Sequence, residues 1–153
     1  MKKLCFVFIL LGLGLGLNAQ SMKFNLNFGL LTDDSFSFSP LVLSGGAGLD
    51  FYFGSSLTLS PEVTFYTNTK FESESFMLYP GVILNLTAKP LFLGGGVVKG
   101  FVLSTGGGST DFLLKFNAGL CSETFKLTAY AMMPFDAIFK KGMLVGATVG
   151  FGF

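Results

Sequence analysis

The sequence has no histidine and no tryptophan, its ten basic residues are all lysine, and its two cysteines are Cys5 and Cys121. Without histidine the commonest catalytic base is missing, which excludes most hydrolase arrangements built on a serine, cysteine or aspartate beside an imidazole. The same absence, with so few thiols, leaves no expected metal site and no cofactor. Charge is also scarce, at 12% of residues against 50% apolar, and the formal net charge is only +1. A polyanion-binding surface is not implied, so nucleic acid is not an expected partner. Beyond the N-terminal region there is no long apolar run. The longest charge-free window, Ser35 to Leu49, contains Pro40 and SGGAG and falls short of the roughly 18 residues that a spanning helix needs. A chain this apolar that crosses a membrane without helices must do so as a closed barrel, because hydrocarbon leaves an open sheet edge unsatisfied.

The N-terminal stretch MKKLCFVFILLGLGLGLNAQ has Lys2 and Lys3, an apolar segment from Leu4 to Leu17, and Ala19 where a signal peptidase would cut. It reads as an export signal over residues 1–19, leaving residues 20–153 as one domain. Losing Lys2 and Lys3 takes the formal charge from +1 to −1. Cys5 departs with the signal and does not occupy a lipoprotein position. Cys121 then has no partner for an internal disulfide.

Eight segments alternate apolar and polar residues with period two, the smallest usual number for a membrane barrel. Met22, Phe24, Leu26, Phe28 and Leu30 alternate with Lys23, Asn25, Asn27 and Gly29. The second segment, 41–53, sets Leu43, Ala47, Leu49, Phe51 and Phe53 against Ser44, Asp50 and Tyr52. The third sets Leu57, Leu59, Val63 and Phe65 against Thr58, Ser60, Glu62, Thr64 and Tyr66. The fourth, 76–87, opposes Leu78, Val82, Leu84 and Leu86 to Met77, Tyr79, Ile83 and Asn85. The fifth, 91–103, is apolar on both faces, and Lys99 alone marks its phase. With Lys99 inward, Leu91, Leu93, Val97 and Phe101 point inward too. In the sixth, Phe112, Leu114, Phe116, Ala118 and Leu120 oppose Asp111, Lys115 and Asn117. In the seventh, Phe125, Leu127, Ala129 and Ala131 oppose Lys126, Thr128 and Tyr130. The ending MLVGATVGFGF is the eighth, with Val149, Phe151 and Phe153 on its apolar side.

Two regularities join these segments into one object. All four tyrosines, Tyr52, Tyr66, Tyr79 and Tyr130, fall on the polar face, while most strand phenylalanines fall on the other. The connections alternate long and short, with GSS, AKP and SET as the short ones, so the short turns gather at one end, as on the periplasmic side of outer-membrane barrels. The expected fold is therefore all-β: an eight-stranded antiparallel up-and-down transmembrane β-barrel.

The stretches SLTLSPEVTFYT and LFLGGGVVKGFVLS, the leader ending NAQ and the terminal aromatic strand resemble the small outer-membrane β-barrel domain proteins of Bacteroidetes, the porin-family-like barrels akin to OmpA and OmpX. The resemblance spans the mature chain through strand patterns rather than invariant residues. It implies an outer-membrane location and carries over no catalytic residue. The last strand also resembles the C-terminal signal read by the barrel assembly machinery, carried here by Val149, Phe151 and Phe153, with Thr148 where that pattern usually has glycine.

The expected interior holds Lys23, Lys99, Lys115 and Lys126 with Asp50, Glu62 and Asp111. Opposite charges in so narrow a lumen should pair, because unpaired buried charges cost several kcal/mol each. Eight strands leave an interior roughly filled by side chains. Apolar inward residues, Met77, Ile83, Leu91, Leu93, Val97, Phe101 and Leu144, also suggest an alternative: an interior pocket for an acyl chain, lipocalin-like if the protein is soluble with its faces reversed. The glycine clusters do not form a phosphate loop, because Lys99 follows Val98 and is followed by Gly100 rather than a hydroxyl residue. Loop residues Phe36, Phe38, Phe71, Phe135 and Phe139, beside Asp33, Asp34, Glu72, Glu74, Lys140 and Lys141, are expected at the membrane interface or against lipopolysaccharide or a surface protein. The sequence therefore points to a non-catalytic outer-membrane barrel whose partners are lipid and the assembly machinery.

Overall fold

A computed structural model describes residues 21–33, 41–69, 76–103, 107–135 and 143–153. The leader, and the loop residues Asp34, Phe36, Phe38, Phe71, Glu72, Glu74, Phe139, Lys140 and Lys141, lie outside the described residues. Eight strands follow one another: β1 (Ser21–Asp33), β2 (Val42–Phe53), β3 (Leu57–Asn68), β4 (Met77–Ala88), β5 (Leu91–Val102), β6 (Gly108–Cys121), β7 (Phe125–Pro134) and β8 (Leu144–Gly152). Each pairs antiparallel with the next, and β8 returns to β1, so the sheet is a closed up-and-down barrel. Closure runs from Asn25 opposite Gly152 to Asp33 opposite Leu144. Beyond the last strand pair, Phe24 and Phe153 exchange backbone hydrogen bonds, 3.2 Å from the Phe24 amide and 2.8 Å from the Phe153 amide. No sheet edge remains along this seam, which is the condition hydrocarbon imposes on backbone amides and carbonyls.

The short connections 54–56, 89–90 and 122–124 all fall at one end, and the longer ones, 34–41, 69–76, 103–107 and 135–143, at the other. Gly54 turns the first short connection with φ +74°, a conformation open to glycine and costly for most side chains.

The faces sort as the period-two pattern requires. Outside, the barrel shows Phe24, Phe28, Val63, Leu84, Leu86, Phe112, Phe116, Leu127 and Phe151 to the surroundings. Inside lie Asn25, Ser44, Asp50, Thr58, Ser60, Thr64, Asn85, Lys115, Asn117 and Thr128, all buried. This is the reverse of a water-soluble domain, in which large apolar groups leave the solvent. Aromatic rings border both ends of the belt: Phe65 stacks on Phe76 at 5.5 Å near the long connections, and Phe125 meets Phe151 edge to face at 6.0 Å near the short ones.

β5 corrects one expectation. Phe92, Val98 and Gly100 are its buried positions, whereas Leu91, Leu93 and Val97 are all exposed, Leu93 at 63%. Lys99 therefore stands outside, its ammonium 5.0 Å from the ring centroid of Phe112 and 5.9 Å from that of Phe101. The physical reason is volume. A Cβ at Gly94 would collide with the amide oxygens of Asn85 and Asn117, and one at Gly96 with Ile83 at 2.7 Å. The glycines must face the crowded lumen, so the residues between them face out.

Candidate functional site

The lumen is the one place where the strands gather polar and titratable groups, and it divides into three levels. The first, at the short-turn end, is a vestibule of about 520 Å³ lined from all three short turns and by Lys23, Asp50, Tyr52, Lys89, Phe92, Cys121 and Lys126. Lys23 donates to the backbone carbonyl of Glu123 at 2.8 Å. Tyr52 belongs to this level and not with the other three tyrosines.

The second level, near mid-height, carries the charge pairs. Lys115 on β6 meets Glu62 on β3 at 2.5 Å across the barrel, their side chains 8% and 14% exposed. The Lys115 ammonium also sits 4.6 Å over the Tyr130 ring. Asp50 accepts a hydrogen bond of 2.5 Å from Ser60, and Asn85 donates to that serine hydroxyl at 3.1 Å. Lys126 approaches Asp50 more loosely, at 3.9 Å, and lies 4.7 Å over Phe92. The cavity between these groups is only about 30 Å³, against about 520 Å³ for the vestibule.

The third level, toward the long connections, is a plug. Tyr66, Tyr79, Tyr130, Ile83, Val98, Leu113, Met132 and Leu31 form one buried cluster, with Met77 and Leu144 packed against it. Tyr66 donates to the Tyr130 hydroxyl at 3.1 Å and meets Tyr79 edge to face, with centroids 5.1 Å apart. Gly146 on β8 makes room for Tyr130, since a Cβ there would collide with the ring.

Of the expected interior charges, the structure brings together Glu62 with Lys115 and Asp50 with Lys126, and it keeps Lys23 at the vestibule. Two depart. Lys99 is outside, as described. Asp111 is exposed and joins neither of these ion pairs, because the β5–β6 register shifts between Lys99 and Phe101 and leaves Thr110 and Asp111 together opposite Gly100. Of the expected apolar lining, Met77, Ile83 and Leu144 contribute, and Leu91, Leu93, Val97 and Phe101 do not. Ser60, Phe92, Asn117 and Met132 are lumen residues that charge and tyrosine did not flag. The inward phase of their strands was the only signal for Ser60, Asn117 and Met132, and for Phe92 there was none, because the expected phase of β5 turned it outward. Val149 and Phe151 lie on the apolar side of β8 at the seam with β1, and Phe153, just past the strand, is held to Phe24 by backbone hydrogen bonds. Among the described residues no three Cys, Asp or Glu side chains gather to hold a metal ion.

An inverted barrel with a belt of apolar side chains outside and a packed polar lumen is the architecture of outer-membrane β-barrels. The chain has the fold of the N-terminal β-barrel domain of OprF from Pseudomonas aeruginosa, with a TM-score of 0.55 at 13% identity over 86% of this chain and 97% of that one. Neisserial surface protein A also aligns, with a TM-score of 0.46 at 11% identity over 86% of this chain and 92% of that one. Ail of Yersinia pestis, solved in a phospholipid bilayer nanodisc, aligns with a TM-score of 0.45 at 14% identity over 87% of this chain and all of that one. No protein-family model and no curated protein matches the chain.

Proposed function

We propose that this protein is an integral outer-membrane barrel with a structural or interaction role, neither an enzyme nor a conducting pore. The observation that carries the reading is the inversion of its faces: the apolar side chains form the exterior, while the charges close on one another inside. Water would penalise that exterior, and a lipid bilayer removes the penalty. The short turns face the periplasm in this reading and the long connections face outward, so contacts with lipopolysaccharide or a surface partner fall to the long connections. Export by a cleaved signal over residues 1–19, and insertion by the barrel assembly machinery gripping Val149, Phe151 and Phe153, complete the same reading.

The lumen argues against conduction and against the lipocalin-like alternative. The tyrosine and methionine plug fills one end, and the Glu62–Lys115 pair spans the middle. The open end mixes aromatic side chains, Phe92, Phe125 and Phe151, with Lys23, Lys89, Lys126 and Asp50, and an acyl chain lying there would strip water from those charges. Electrophoresis in SDS of the washed outer-membrane fraction, boiled beside unboiled, tests the reading. A band in that fraction whose migration changes only on boiling is expected. A soluble periplasmic band without a heat-dependent shift overturns it.

A further inference from the structure

Among the described residues, Lys99 is the only charged side chain that the regular alternation of the strands turns outward. It stands on β5 three residues before the strand ends at Val102, close to the rim that carries the long connections. Its surroundings are unusual on both sides. On β4 the register runs from Leu78–Phe101 to Gly81–Val98, which sets Pro80, a residue without an amide hydrogen, opposite Lys99. On β6 the bulge begins just beyond the Lys99–Phe112 pair, and the Gly100 amide turns from the ladder to the Thr110 hydroxyl at 2.8 Å. A bulge re-aims the side chains beside it. Here the ammonium rests against the faces of Phe101 and Phe112, which fix its position while leaving its donors without a carboxylate among the described residues.

We propose that Lys99, framed by Phe101 and Phe112, is a binding site for the phosphate of an outer-leaflet lipid headgroup. The inference rests on the membrane reading above. A cation at the rim of an apolar belt lies where the hydrocarbon of the leaflet ends and its phosphates begin. The two rings contact the first methylenes of the acyl chains while the ammonium meets the phosphate, so one small surface matches both parts of an amphiphile. Lysine supplies a mobile point charge with three donors, suited to a phosphate of varied approach.

The test uses the full mature chain refolded into phosphatidylcholine vesicles, with insertion verified first by the unboiled electrophoretic shift. Binding is then titrated with lipid A, with lipid A stripped of its phosphates, and with lipid A in the presence of millimolar inorganic phosphate. The wild type and Lys99→Arg are expected to bind lipid A alike. Lys99→Gln and Lys99→Leu are expected to bind about fivefold more weakly, the worth of one lysine near an anionic surface. The stripped lipid should bind the wild type about fivefold more weakly than the intact lipid does, a comparison that uses no variant and so holds even if one folds poorly. Undiminished binding by both Lys99→Gln and Lys99→Leu, or equal binding of the two lipids by the wild type, overturns the proposal. Displacement by inorganic phosphate overturns the lipid assignment in favour of a free-anion site. A wild type that fails to insert overturns the membrane reading instead.

Discussion

At the scale of single residues, the interior is held by contacts that tolerate little change. Lys115 and Glu62 are each the other's carboxylate or ammonium partner in a nearly closed space, so removing one strands the other. Lys115→Met or Glu62→Gln alone should lower unfolding stability by about 3–5 kcal/mol, whereas the double replacement should recover most of it. Urea titration of refolded protein in lipid vesicles, run as a double-mutant cycle, measures both. The Asp50–Lys126 pair, at 3.9 Å and partly open to the vestibule, should show a smaller coupling in the same experiment. Gly146 tests packing rather than charge. A side chain there meets the Tyr130 ring, so Gly146→Val should cost about 1–3 kcal/mol by overpacking. Retention of full stability would mean that Tyr130 has room it does not have in this structure.

At the scale of strands, seven of the eight phases were legible because each carries charges or hydroxyls on alternate positions and grease between them. β5 was not, since both of its faces are apolar or empty, and its one charge pointed the wrong way. The usual rule that a charge within a strand belongs inside failed at Lys99 because the residue lies near the rim, where an outward lysine costs little. The informative residues were the glycines. Asn85, Asn117, Ile83 and Tyr79 all need the space that Gly94, Gly96 and Gly100 leave, and that requirement is invisible until neighbouring strands are in register. The bulge at Thr110 and Asp111 was hidden for the same reason. Phe116 lies near mid-height of β6, and Leu91 at the first residue of β5. In lipid, Phe116→Arg should destabilise by about 2–4 kcal/mol and Leu91→Arg by about 1 kcal/mol or less. Urea titration of the two variants checks the gradient. Equal, small effects at both depths would mean that no hydrocarbon surrounds the belt.

At the scale of the whole molecule, the barrel is closed around its circumference by the β1–β8 seam and along its axis by the tyrosine-centred plug. It therefore combines a membrane-facing exterior with an interior that opens at one end only, through the vestibule at the short turns. A wild-type barrel inserted in a planar bilayer should show no steady conductance. A stable current would place a water path through the Tyr66–Tyr79–Tyr130 cluster and contradict the packing found there. The central claim is that the apolar face of this barrel meets lipid. Its most direct test is power-saturation electron paramagnetic resonance in vesicles, with single spin labels at the outward positions Phe112, Leu114, Phe116, Ala118 and Leu120 of β6 in a Cys121→Ser background. Oxygen should relax these labels far better than a water-soluble nickel chelate, most strongly at Phe116. Labels reached by the chelate and not by oxygen along the whole series would mean that this face meets water, and the membrane reading would fall.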